Sequence, residues 1–384
     1  MKKLKRWSKY LAGGAVFFLL SFAGGLLLGR VASQNAGPGL PGVLAAFGAM
    51  LLACWVQIIL HEGGHLVFGL LTGYRFSSFR IGSFMWMKEG GKLKLKRLSI
   101  AGTGGQCIMA PPPGTAADMP VFWYHMGGAV MNLLTAALCG LLWLFLPYIP
   151  FLSVFFLMAA LVGVLYAVMN GVPFHSRMVD NDGQNAKNLL KNRAARESMW
   201  MQLAVTEQTA HGVRLRDMPE EWFVVPADED MKDSLTAARG VFAANRLMDA
   251  HRFGEADALM EHLLTVADGM AGIHRSLLLC DRMYVELMGA CREEKLEALC
   301  DGNVRAVMKQ MKKFPTILRV RYAEALLRER DGEKAEKILS AFEKVSESYP
   351  YASDIQSERE LMELARQRAE IDKSSSGGYN TGTL

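Results

Sequence analysis

Acidic side chains are nearly missing from the first 180 residues of this 384-residue chain. Glu62, Glu89, Asp118 and Asp180 stand there against fourteen Lys and Arg, a balance of +10. The remainder holds 34 acids and 29 bases, a balance of −5. So lopsided a split excludes one uniform soluble fold and points to a basic, apolar first half followed by an acidic soluble second half. Paired cysteines are missing too. Cys54, Cys107, Cys139, Cys280, Cys291 and Cys300 include no CxxC spacing, which excludes a thiolate metal site and suits unpaired thiols in a reducing compartment. The bases of the first half flank apolar runs, where lipid headgroups and topology place them, so no nucleic-acid partner is expected.

Long apolar runs are what the first half has in quantity. MKKLKRWSK precedes one at residues 10–28, longer than the ~7–15 residues of a signal-peptide core, so an uncleaved anchor is expected despite a weak Val31-Ala32-Ser33 cleavage site. Further runs cover residues 43–71, 127–148 and 151–172, with Pro147 and Pro150 bracketing a tight turn. The connector 34–42 has no Lys or Arg, whereas 74–126 carries Arg75, Arg80, Lys88, Lys92, Lys94, Lys96 and Arg97. The positive-inside rule then puts that loop, the N-terminus and the C-terminal half in the cytoplasm, with four spans between. Period-two alternation in Lys92-Leu93-Lys94-Leu95-Lys96, after Glu89-Gly90-Gly91, predicts a β-hairpin whose first strand lies at 80–87. Its apolar face would hold Ile81, Leu93 and Leu95, either against the membrane or simply anchoring the loop.

The second run contains His61-Glu62-Gly63-Gly64-His65. Residues four apart share a helix face, so His61 and His65 can aim ring nitrogens at one metal, with Glu62 placed to act on water. A carboxylate in mid-span costs roughly 2.5–3.5 kcal/mol, which argues against an idle Glu62. Gly63 and Gly64 would let another backbone approach, as a peptide substrate requires. Gly128-Ala-Val-Met-Asn132 opens the third span, and Asn170-Gly-Val-Pro173, then Asp180-Asn181-Asp182-Gly183, follow the fourth. Alternating span direction brings the histidine motif, Asn132 and Asp182 to one membrane level.

HEGGH within a span, GxxxN opening a later one, and NxxP followed by a DG pair together resemble the site-2 protease family of membrane-embedded zinc metallopeptidases, over about residues 43–190. The resemblance implies one Zn2+ held by His61, His65 and Asp182, Glu62 as catalytic acid/base, and Asn132 near the substrate. It implies a bacterial plasma membrane and regulated intramembrane proteolysis of a membrane-spanning or membrane-anchored protein. Here Pro173 and Asp182 are further apart than the family's pattern sets them, which leaves Asp180 and His175 as rival third ligands. Three protein ligands would leave a fourth position for water, as in catalytic zinc sites. Asn132 could hold a substrate carbonyl or only bond between helices.

In the second half, 182–211 reads as an amphipathic helix and 217–230, with Pro219 and Pro226, as a linker. Three stretches then align at intervals of 40 and 39 residues: His251-Arg-Phe-Gly-Glu-Ala256, Cys291-Arg-Glu-Glu-Lys-Leu296 and Asp331-Gly-Glu-Lys-Ala335. That spacing suggests a short solenoid similar to tetratricopeptide repeats, or an irregular helical bundle, able to bind a protein partner. The expected fold is thus an all-α polytopic membrane protein with a small hairpin and a cytosolic helical repeat domain. Its parts are a metalloprotease domain at 1–190, an amphipathic helix and linker at 191–235, the helical repeats at 236–372, and a Ser/Gly-rich disordered tail at 373–384. His125, His211, His251, His262 and His274 have no metal spacing. A competing reading is a non-proteolytic membrane scaffold with a structural zinc site. A third is a membrane-anchored peptidase acting on soluble peptides.

Overall fold

The computed structural model describes residues 39–89, 91–100, 103–145, 150–174 and 180–377. The run at 10–28, His175 and residues 378–384 lie outside these. The chain divides into two compact units, Met1–His65 with Met126–Val172, and Leu66–His125 with Pro173–Leu384. Residues 66–125, which include most of the basic loop, therefore group with the C-terminal half.

Three long helices supply the apolar part: α1 (Leu40–Leu71), α2 (Val121–Phe145) and α3 (Pro150–Gly171). At 1.5 Å per residue they measure about 48, 37 and 33 Å, each enough for a hydrocarbon layer of about 30 Å. Among the described residues, three helices are long and apolar enough to cross a membrane. In the first unit Ala49, Ala53, Val154, Leu157, Met158 and Val162 pack as a core, while Val43, Phe47, Trp55, Leu165 and Val168 are exposed. Bundles buried in lipid keep large apolar residues outside and small ones between helices. α1 stops where Gly73 takes a left-handed φ of +90° and the Tyr74 amide donates to the Gly69 carbonyl at 3.0 Å. Only glycine adopts that turn without cost.

The second unit opens with a four-stranded antiparallel sheet of β1 (Arg75–Ile81), β2 (Phe84–Glu89), β3 (Lys92–Arg97) and β4 (Gly105–Ala110), in the order β3-β2-β1-β4. The expected hairpin is β2–β3, with Trp86 opposite Leu95 and Lys88 opposite Leu93. Its first strand begins at Phe84 because Gly82, at φ +58°, turns the chain after β1. One face of the sheet is closed: Met85 and Leu98 pack with Leu318, Tyr322 and Phe342, and the Arg97 amide donates to the Ser348 carbonyl at 2.9 Å. The other face exposes Phe84, Trp86, Leu93 and Leu95, whereas Ile81 is buried. Arg80 is buried as well, donating to the Gly82 and Gly105 carbonyls and to Thr103 Oγ1.

The amphipathic segment is two helices, α4 (Asp182–Lys191) and α5 (Arg193–Ala210), because Asn192 leaves helical geometry and caps the second by accepting from the Ala195 amide. The supposed linker is docked, not free: Met218, Phe223 and Met231 are buried. Eight further helices follow: α6 (Ser234–Asp249), α7 (Phe253–Val266), α8 (Gly272–Met288), α9 (Glu293–Leu299), α10 (Gly302–Gln310), α11 (Pro315–Ala323), α12 (Gly332–Ser346) and α13 (Ala352–Gly377). The turns after α6, after α8 and before α12 each contain a non-glycine residue in the left-handed region, His251, Cys291 and Arg330. Such residues are uncommon, and these three stand 40 and 39 positions apart. The last helix continues through Gly377, past the tail's expected start at Lys373.

Candidate metal centre

His61, Glu62 and His65 lie on α1 and are 8%, 8% and 6% exposed. Their helix has no other acid or base, so the surroundings are apolar apart from one polar cluster. The two Nε2 atoms stand 3.2 Å apart with the rings edge to face. On the far side of its ring, His61 Nδ1 is 2.7 Å from Asn132 Oδ1.

The Asn132 amide orientation follows from its other contacts. Asn132 Nδ2 donates to the Gln57 backbone carbonyl at 2.9 Å and to Gln57 Oε1 at 2.8 Å. A carbonyl can only accept, so the amide nitrogen must face Gln57 and the amide oxygen must face His61. Asn132 Oδ1 therefore accepts a proton held on His61 Nδ1, which leaves the lone pair on Nε2. This is the tautomer a metal requires, fixed by a neighbour as in characterised metal sites. Asn132 is fully buried, and both of its N–H donors are spent within the helix cluster. These contacts bond α2 to α1 and orient the His61 ring.

Gln57 was not singled out from the sequence. It lies one turn before His61, so Gln57, His61 and His65 form a stripe at intervals of four, which is the signal that would have found it. Its Nε2 donates to the Ala159 carbonyl at 2.8 Å and its Oε1 also accepts from Thr135 Oγ1 at 3.1 Å. One buried amide thus ties α1 to α2 and α3.

Glycines let the helices close on this cluster. A Cβ at Gly64 would lie 2.3 Å from the Gly127 carbonyl oxygen; one at Gly128 would meet the His61 ring at 2.5–2.7 Å; one at Gly163 would lie 2.7 Å from Gln57 Nε2. The space beside Gly64 is therefore filled by the chain's own backbone. Beside Gly63 there is open space within 4 Å.

Asp182 begins α4. The preceding Asn181 caps that helix, its Oδ1 accepting from the Gln184 amide at 3.0 Å and from the Phe174 amide at 3.0 Å. An N-cap Asn with an acid in the first turn is a favoured helix start, which explains why N-D-G-Q fixes Asp182 firmly. Among the described residues, His61, His65 and Asp182 form the group that could hold a metal ion: each offers one ligand atom, and these atoms lie within 4.8 Å of one another. Asp180 is outside that group, its Oδ2 accepting from Ser234 Oγ at 3.0 Å. The donor set, two imidazoles and one carboxylate, suits zinc. No known family, curated protein or solved structure matches this chain.

Proposed function

We propose that the chain is an intramembrane zinc endopeptidase of the site-2 protease kind, anchored in a bacterial plasma membrane with its C-terminal half cytoplasmic. The observation that carries the reading is the convergence of His61, His65 and Asp182, with His61 held in its metal-binding tautomer by Asn132. The setting supports it, since the histidines lie in a helix apolar and long enough to cross a membrane.

A zinc ion bound by these three residues would supply a Lewis acid that lowers the pKa of water and polarises a peptide carbonyl. Glu62 takes the proton of the attacking water and passes it to the leaving amide nitrogen. Apolar surroundings keep other water away and strengthen these charge interactions. Gly63 gives an extended substrate backbone room to approach. A membrane-spanning substrate must first unwind, because its amides are bonded within its helix. The outer edge of β3, where Leu93 and Leu95 alternate with lysines, would receive the unwound segment by strand addition. The three helix pairs after Ser234, a solenoid similar to tetratricopeptide repeats, would recruit the substrate or a regulator.

Glu62→Gln is the test. Comparison of membranes carrying wild-type or variant protein should show fragments ending within a span only in the former, while both bind zinc. Unchanged cellular function in the variant would favour a scaffold. Cleavage of soluble peptides alone would favour a membrane-anchored peptidase.

A further inference from the structure

The helical unit contains a cavity of about 350 Å³, at the small end of the roughly 300–1,000 Å³ range of ligand pockets. Its walls mix apolar side chains, among them Val241, Leu278 and Leu361, with six charged ones. The charges do not balance. Asp249, Asp281, Asp354 and Glu358 face Arg214 and Arg319, an excess of two carboxylates in a partly open cavity.

The pairing shows where the excess lies. Arg214 holds Asp249, with Nε 3.1 Å from Oδ1. Arg319, 1% exposed and 4.5 Å over the Tyr284 ring, pairs with Asp281 and stands 2.8 Å from Glu358 Oε2. That last contact lacks hydrogen-bond alignment, since both Arg319 Nε and Glu358 Oε2 are buried without a bonding partner. Among the described residues no cation pairs with Asp354, which is half-buried in the first turn of α13. Burial, with Glu358 and Asp249 nearby, pushes its carboxyl up to about 7. His274 adds no compensating charge, because burial lowers its pKa and keeps the ring neutral. Glu358 also accepts from Thr316 Oγ1 at 2.5 Å, so the uncompensated carboxylate is Asp354. A half-buried carboxylate with no cation is costly and rarely kept without use.

We propose that this cavity is a binding site for a small organic cation, an amine or guanidine on a short apolar body, whose charge pairs with Asp354 and Glu358. An inorganic divalent ion fits less well: the carboxylate oxygens do not converge, and the group at His61, His65 and Asp182 is the one cluster of at least three metal-ligating side chains among the described residues. The apolar walls call for carbon in the ligand. The site is separate from the proposed peptidase centre, and its occupancy would let the helical unit respond to a soluble amine.

Titration calorimetry on the full-length protein in detergent, in amine-free phosphate buffer, tests this with n-butylamine, n-butylguanidine, n-butanol and butyrate. Butylamine or butylguanidine should bind at least tenfold more tightly than butanol, and butyrate should not bind. Asp354→Asn should weaken the cations at least tenfold while raising thermal stability near neutral pH, a check that it folds. Leu277→Phe, which fills the cavity without touching a charge, should abolish binding. Glu62→Gln should bind as wild type does, so loss of peptidase chemistry and loss of this site are separable. Acetyl-Gly-Lys-Gly-amide distinguishes sources: tighter binding than butylamine would identify the cation as a polypeptide side chain and overturn the free-amine assignment. Equal affinity for butanol and butylamine, or full cation binding by Asp354→Asn, would overturn the site altogether.

Discussion

Asn132 shows how much one buried amide can determine. Its oxygen keeps the proton on His61 Nδ1, which leaves the Nε2 lone pair for a metal. Asn132→Ala removes that preference and leaves the Gln57 carbonyl without a donor. Loss of an outer partner of this kind typically costs 10–100-fold in metal affinity. Zinc affinity measured against a competing chelator should fall by about that factor, and unchanged affinity would refute the orienting role. A second residue-scale consequence concerns Asp354. Its folded pKa of about 7 lies above the ordinary 3.8, so the folded state binds the extra proton. Its contribution to stability is full below about pH 4 and is lost as pH rises to about 7. At 1.36 kcal/mol per unit, the stability difference between Asp354→Asn and wild type should grow in the variant's favour by about 4 kcal/mol across that window. Denaturant unfolding of both proteins in amine-free buffer measures it, and a pH-independent difference would refute the assignment.

Elements were legible in the sequence where the signal is local. HEGGH and the helix beginning at Asp182 depend on residues within a few positions of one another. His251, Cys291 and Arg330, in left-handed turns, stand 40 and 39 residues apart, but the helices after them have 14, 7 and 15 residues. Pairings between distant segments were not legible. β1 joins β4 across the hairpin, and nothing in Gly105–Ala110 alternates strongly enough to announce a strand. The tasks of Gly128 and Gly163 were equally hidden, since a close helix approach depends on two elements at once. That approach gives an element-scale prediction. Gly128→Ala would place a methyl within 2.5–2.7 Å of the His61 ring, so the ring or α2 must move. Zinc binding should fall at least tenfold with helical content unchanged by circular dichroism. Gly140→Ala, on the same helix with open space at its Cβ, should bind zinc normally.

Across the whole molecule, charge distribution determines what the fold can be used for. Among the described residues up to 180, the bases Arg75, Arg80, Lys88, Lys92, Lys94, Lys96 and Arg97 all lie on the sheet, whereas α1, α2 and α3 contain one acid and no base. A chain with that pattern would insert with its basic loop and the acidic helical half on the cytoplasmic side. The exposed Phe84, Trp86, Leu93 and Leu95, interleaved with Lys88, Lys92, Lys94 and Lys96, match the mix of aromatic and basic side chains that settles at a headgroup layer. Orientation is testable on a background with all six cysteines replaced by alanine. A cysteine at Leu40, exposed at the start of α1, should react with a membrane-impermeant maleimide on intact spheroplasts, and one at Ser374, exposed near the end of α13, only after lysis. Labelling of Ser374→Cys before lysis would reverse the topology. It would also move the proposed cleavage to the outer half of the bilayer, because the histidines lie near the end of α1 that leads into the basic sheet.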